Sequence, residues 1–214
     1  MKAMTSFFIA AIMTLASAAA HAELIVTDTT YRDYDKSFGY VSFNVTSHGT
    51  INDVNVAVEF SKCDNPYIDP EGSRCIGQGT PFENEIVMRL IGPDGRVVNL
   101  IEEDTFDQGD TAGIGRITMT FTDEGQALGK RVQAGAFRPL GQLSMFDGMD
   151  MFGEWRLYVE DTFGSDPLEV FSSSLIFNSV EPPPADVPEP GSLAVFGAGM
   201  FALGALRRRQ RRAI

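Results

Sequence analysis

Apolar and polar residues alternate with a period of two along most of the chain's middle. Val54, Val56, Val58 and Phe60 alternate with Asn55, Ala57 and Glu59, the pattern of a strand buried on one face. Tyr40 to Thr46 repeats it, with Val41, Phe43 and Val45 on one side. Ile86, Met88 and Leu90 alternate up to Gly92-Pro93-Asp94-Gly95, a turn signal, and Val97-Val98-Asn99-Leu100 returns as the second arm of a hairpin. Ile117, Met119 and Phe121 mark another strand, Trp155, Leu157 and Val159 the next, and Phe171 to Phe177 the last. No stretch of helical length carries an apolar stripe with caps. Short strands punctuated by Gly and Pro predict an all-β, antiparallel, jelly-roll-like sandwich.

The two ends break this pattern. At the N-terminus, Lys2 precedes the apolar centre Phe7 to Leu15, and Ala20-His21-Ala22 places small residues where a signal peptidase reads. Residues 1–22 are thus expected to be a signal peptide, with cleavage after Ala22 and a mature start at Glu23. At the C-terminus, Val187-Pro188-Glu189-Pro190 leads into the apolar run 191–206, which ends against the basic segment 207–212, opened by Arg207, Arg208 and Arg209. Sixteen residues at helical rise span roughly 24 Å, short of the ~30 Å hydrocarbon core. The arginines are expected to stay on the cytoplasmic side of the inner membrane, leaving the rest outside. This order of Pro-Glu-Pro, short span and arginine cluster resembles the PEP-CTERM sorting signal of Gram-negative bacteria. The resemblance implies a sorting signal over residues 188–212 with transient membrane insertion of its span 191–206, processing near Pro188–Pro190 by an exosortase, and a cell-surface or extracellular destination. An ordinary tail anchor is the plainer reading; motif, span and basic end occurring together favour the sorting signal.

Between the ends, residues 23–180 form the expected sandwich domain, and 181–187, with Pro182, Pro183 and Pro184, a stiff extended spacer. The whole chain carries a formal charge of −12. Setting aside Lys2, the five tail arginines and Glu189 leaves 11 basic and 28 acidic residues, a charge of about −17 on the exported part. Such a surface offers no cationic face to phosphates, which excludes nucleic acid as a partner and disfavours docking on anionic lipid. Cys63 and Cys75 are the only cysteines. In an oxidising envelope they are expected to form a disulfide closing a polar, turn-rich loop, with a stabilisation of about 2–3 kcal/mol.

A second resemblance covers about Ser37 to Asn178. Ile86 to Leu90 runs into Ile91-Gly92-Pro93-Asp94-Gly95, and Phe121-Thr122-Asp123-Glu124-Gly125 and Phe137-Arg138-Pro139-Leu140 follow. Leu143 to Gly148, Gly153 to Asp161 and the apolar strand Ser174-Leu175-Ile176-Phe177 complete the order. It is similar to the P domain (Homo B domain) of subtilisin-like proprotein convertases, most specifically over Phe137 to Asp161. Three features depart from that family: the insertion Ser61 to Glu83, Gly153-Glu154-Trp155 in place of Gly-Thr-Trp, and Phe171-Ser172-Ser173-Ser174 where a Trp is usual. Some members of the family are calcium-stabilised, and Asp147, Asp150, Asp161 and Asp166 are candidate oxygen ligands for Ca²⁺ here. The plainer role of these aspartates is turn capping.

Catalysis finds little support. The convertase catalytic domain is absent, and the two histidines are His21, lost with the signal peptide, and His48 in a turn. Acidic side chains abound, yet no spacing singles out a glycosidase pair. The sequence therefore points to a non-catalytic surface or matrix protein acting with exopolysaccharide. The alternatives are a calcium-assisted module that binds glycan or a cell-surface protein, and, less favoured, a carboxylate hydrolase. For a glycan reader the candidate stacking aromatics are Tyr31, Tyr34, Tyr67 and Phe163; exposure of two together would favour binding.

Overall fold

The computed structural model describes residues 21–62, 81–107 and 114–180. They build an all-β sandwich of two sheets; among them there is no α-helix, only two short 3-10 turns at Glu83–Glu85 and Leu143–Phe146. The strands are β1 (His21–Asp28), β2 (Arg32–Tyr34), β3 (Ser37–Val45), β4 (Thr50–Lys62), β5 (Ile86–Ile91), β6 (Val97–Ile101), β7 (Ile114–Ala127), β8 (Gly135–Arg138), β9 (Gly153–Asp161) and β10 (Leu168–Val180). One sheet runs β1-β10-β4-β7-β8, with β2 also paired to β10; the other runs β3-β9-β5-β6.

The period of two decides which side chains meet. Val54, Val56, Val58 and Phe60 of β4, Met119 and Phe121 of β7, and Leu175 and Phe177 of β10 form the inner face of the larger sheet. Val41, Phe43 and Val45 of β3, Ile86, Met88 and Leu90 of β5, and Trp155, Leu157 and Val159 of β9 face them. Burying each such side chain contributes about 1.5–3 kcal/mol. Trp155 sits at the centre, edge-on to Phe146 at 4.8 Å and to Phe177 at 5.2 Å. Its indole N–H donates to the Met151 carbonyl at 2.9 Å, so its one polar atom is satisfied in the core.

The hairpin joining β5 to β6 forms on the expected turn. Gly95 takes φ +85°, and its N–H donates to the Gly92 carbonyl at 3.0 Å, a conformation that favours glycine. The antiparallel expectation fails at one place: β8 pairs parallel with β7. Gly125 allows it, because a Cβ there would lie 2.4 Å from the Phe137 backbone carbon. The turn that follows is capped by Asp123, whose two carboxylate oxygens accept from the Leu143 and Ser144 amides at 2.9 and 2.8 Å. The segments Phe121–Gly125, Phe137–Leu140 and Leu143–Gly148, separate in sequence, thus make one corner of the sandwich.

Candidate functional site

The outer face of the smaller sheet carries the most exposed aromatic group among the described residues. In β3, residues of opposite parity to Val41 and Phe43 point outward, which turns out Phe38 and Tyr40; in β9 the same rule turns out Tyr158. The β3–β9 register sets Tyr40 directly against Tyr158, and Phe38 against Glu160. The three rings then touch: Tyr40 and Tyr158 centroids lie 5.4 Å apart, Phe38 and Tyr158 5.6 Å, and Phe38 and Tyr40 6.5 Å. Phe38 is 60% exposed and Tyr40 44%, large apolar areas that a lone domain leaves in water.

Charged groups frame the rings. The Arg156 guanidinium stands over Tyr40 at 5.2 Å, and that of Arg89, from β5, over Tyr158 at 5.3 Å. Tyr158 donates its hydroxyl proton to Glu160 at 2.6 Å. Burial, followed by that hydrogen bond and the Glu160 charge, pushes the phenol up to about 12, so Tyr158 stays a neutral donor. The patch combines flat apolar surface with charged and hydrogen-bonding groups at its rim.

Of the four aromatics expected from sequence to form a platform, the three among the described residues do not gather. Tyr34 is buried, packed over Gly39, where a Cβ would come within 2.9 Å of its ring. Tyr31 is half-buried beside Phe171, at 5.7 Å between centroids, and donates to Glu169 at 2.7 Å. Phe163 is exposed, and Tyr67 lies outside the described residues. The signal for Tyr40 and Tyr158 was present as the outward parity of two predicted strands, while Phe38 joins them only because β3 begins at Ser37, ahead of the predicted Tyr40. Their meeting is a matter of which strands pair.

The four aspartates considered for calcium are not brought together. Asp150 precedes β9 and Asp161 ends it, which separates them by about 25 Å at ~3.3 Å per residue. At the first end, Asp150 accepts from the Gly49 and Phe152 amides at 3.1 and 3.2 Å and pairs with His48 Nδ1 at 2.7 Å. The His48 contact holds its carboxyl below the usual range. His48 in turn stacks on Phe152 at 4.4 Å. Asp147 is pushed up by burial and then by Asp53, Asp123 and Glu124. At the far end, Asp161 and Asp166 converge on a lysine. Lys62 Nζ lies 2.7 Å from Asp161 Oδ2, 3.0 Å from Asp166 Oδ2 and 3.2 Å from Glu85 Oε2, and donates to the Asp166 carbonyl at 2.6 Å. All four side chains are buried. Among the described residues, no three of His, Cys, Asp or Glu form a group that could hold a metal ion.

The remaining expected sites, namely Ala20, Cys63, Cys75, Pro188, Glu189, Pro190, Arg207, Arg208 and Arg209, lie outside the described residues. Ala22 falls within β1, which pairs with β10 from His21↔Val180 onward. For the C-terminal segment, comparison with known families decides the matter: the PEP-CTERM protein-sorting motif matches residues 186–210. The tail is a PEP-CTERM sorting motif. A chain with a PEP-CTERM motif is an exported protein processed by an exosortase. Comparison with curated proteins gives no match.

Among solved structures, the chain is similar to the Aeromonas sobria serine protease in complex with its chaperone: 14% identity, 74% of this chain and 28% of that one covered, TM-score 0.37. It is also similar to PfGH50B, at 11% identity over 79% of this chain and 23% of that one, TM-score 0.35. Dimeric latent PorU from Porphyromonas gingivalis gives 8% identity, 75% and 13% coverage, and a TM-score of 0.34. The chain thus spans between about an eighth and three-tenths of these proteins.

Proposed function

We propose that this exported protein is a non-catalytic, P-domain-like surface module that binds polysaccharide of the extracellular matrix through the Phe38–Tyr40–Tyr158 face. The exposed ring cluster carries the reading. Three aromatic side chains in mutual contact, two of them largely open to water, leave apolar area that a sugar's C–H face can cover. Arg89, Arg156 and Glu160 supply the donors and acceptors its hydroxyls need. The sorting motif supports export, and an exported protein is in a position to meet extracellular polysaccharide.

A binding role also suits what the polar groups already do. Asp123 and Asp150 cap turns, His48 is stacked and paired, and the buried acids hold a lysine. These are structural assignments for residues that an enzyme would otherwise have in reserve.

The test is co-sedimentation of the exported protein, purified from producing cells, with those cells' own polysaccharide. Saturable binding is expected in both calcium and chelator, and Tyr40→Ala is expected to weaken it about 10-fold or more, the loss typical of a central aromatic contact. Absence of binding, or binding that Tyr40→Ala and Phe38→Ala leave unchanged, would sink the assignment of this face.

A further inference from the structure

The geometry points to an intramolecular amide bond between Lys62 Nζ and the Asp161 side-chain carboxyl carbon, formed after folding with loss of one water. Lys62 is the last residue of β4 and shares the inward parity of Val56, Val58 and Phe60. Its whole side chain is buried, an unusual place for a lysine, and it reaches across the sandwich to the last residue of β9. The 2.7 Å contact between Nζ and Asp161 Oδ2 brings the nitrogen within reach of the carboxyl carbon bonded to that oxygen, the proximity such a step needs. Ile86, Val159, Phe60 and Leu168, the chain neighbours and strand partners of these groups, are fully buried and limit water at the site.

The step balances within the cluster. One ammonium proton passes to a neighbouring carboxylate, Glu85 Oε2 at 3.2 Å or Asp166 Oδ2 at 3.0 Å, which frees the nitrogen lone pair. The amine attacks the Asp161 carbon, the C–N bond forms, and the carbon passes through a tetrahedral adduct. The carboxylate that took the proton returns it to the departing oxygen, which takes a second proton from the nitrogen as the C–O bond breaks. One carboxylate oxygen leaves with two of the nitrogen's hydrogens as water; the other oxygen remains as the amide carbonyl. No oxidant, metal or external group is consumed. Burial favours the reaction in two ways. It raises the Asp161 carboxyl to about 6, so that the departing oxygen takes up the nitrogen's protons more readily. It also converts a desolvated ion pair into a neutral amide, removing a charge pair that is costly to keep out of water. The product ties β4 of one sheet to β9 of the other, at the start of the insertion Ser61 to Glu83. For a protein exported to the cell exterior, this makes a clamp that reducing agents do not open.

Peptide mapping by mass spectrometry tests it on the full chain, purified folded and reduced before digestion. The expected result is a missed tryptic cleavage after Lys62 and a peptide bearing Lys62 joined to one bearing Asp161, lighter than their sum by one water. On a reducing, denaturing gel the joined chain should run faster than Lys62→Met. In Glu85→Gln, which keeps the shape of the relay, the link should form about 100-fold or more slowly after refolding. A folded wild-type chain whose Lys62 remains a free amine after prolonged incubation near neutral pH overturns the bond. So does a link from Lys62 to Glu85 or Asp166, and an unchanged rate in Glu85→Gln overturns the relay assigned to that residue.

Discussion

Single residues in this protein are constrained chiefly by which side of a strand they stand on. Trp155 illustrates it: inward parity puts the indole between Phe146 and Phe177, and its N–H finds the Met151 carbonyl four residues earlier. Trp155→Ala removes both ring contacts and leaves a cavity at the centre of the sandwich. The expected cost is about 3–5 kcal/mol, read as a shift in urea midpoint at unchanged slope; a loss below about 1 kcal/mol would mean the core closes over the gap. Three residues further on, Tyr158 has the opposite parity and the opposite fate. Its ring lies on the surface, its hydroxyl held by Glu160, and it joins Phe38 and Tyr40 on the outer face of the smaller sheet.

At the scale of elements, the parallel pairing of β8 with β7 is the least predictable feature and the most dependent on one glycine. β8 crosses so close to Gly125 that an added Cβ would meet backbone rather than a flexible side chain. Gly125→Ala should therefore push β8 off the sheet edge at a cost of about 1–3 kcal/mol, the usual range for overpacking. Amide exchange should rise first in Gly135–Arg138, where the parallel ladder is. Equal protection of β8 in the variant and the wild type would show that the sheet absorbs the methyl group. The Asp123 cap sits beside this contact and ties β7 to the Leu143–Phe146 turn, so the corner would loosen as a unit.

For the molecule as a whole, the Lys62 cluster sets how stability depends on pH. Burial is the first cause raising Asp161 to about 6 and Asp166 to about 8, against the Lys62 charge, which opposes it. An acid with a raised folded pKa favours the fold while protonated. That contribution is complete below 3.8, the ordinary value, and is lost as pH rises through about 6 and then about 8. Asp28, Glu59 and Asp150, held low by hydrogen bonds from Arg32, Arg116 and His48, act in the other direction and lose their contribution on acidification. The melting temperature should thus fall from mildly acidic toward alkaline pH; a steady rise from about 5 to 9 would contradict the buried cluster. In a chain joined at Lys62 the Asp161 step disappears and the Asp166 step remains. By itself the sequence determined the seven strands β3 to β7, β9 and β10 with the inward and outward sides of each, the β5–β6 turn and the sorting tail, because those follow from periodicity and local chemistry, whereas β1, β2 and β8 carry no such pattern. Tertiary structure alone decided that Tyr40 faces Tyr158, that Asp161 and Asp166 meet Lys62 while Asp147 and Asp150 lie at the far end, and that β8 runs parallel. Those outcomes depend on strand order and register across the two sheets, and a period of two gives each strand its faces without naming its neighbour.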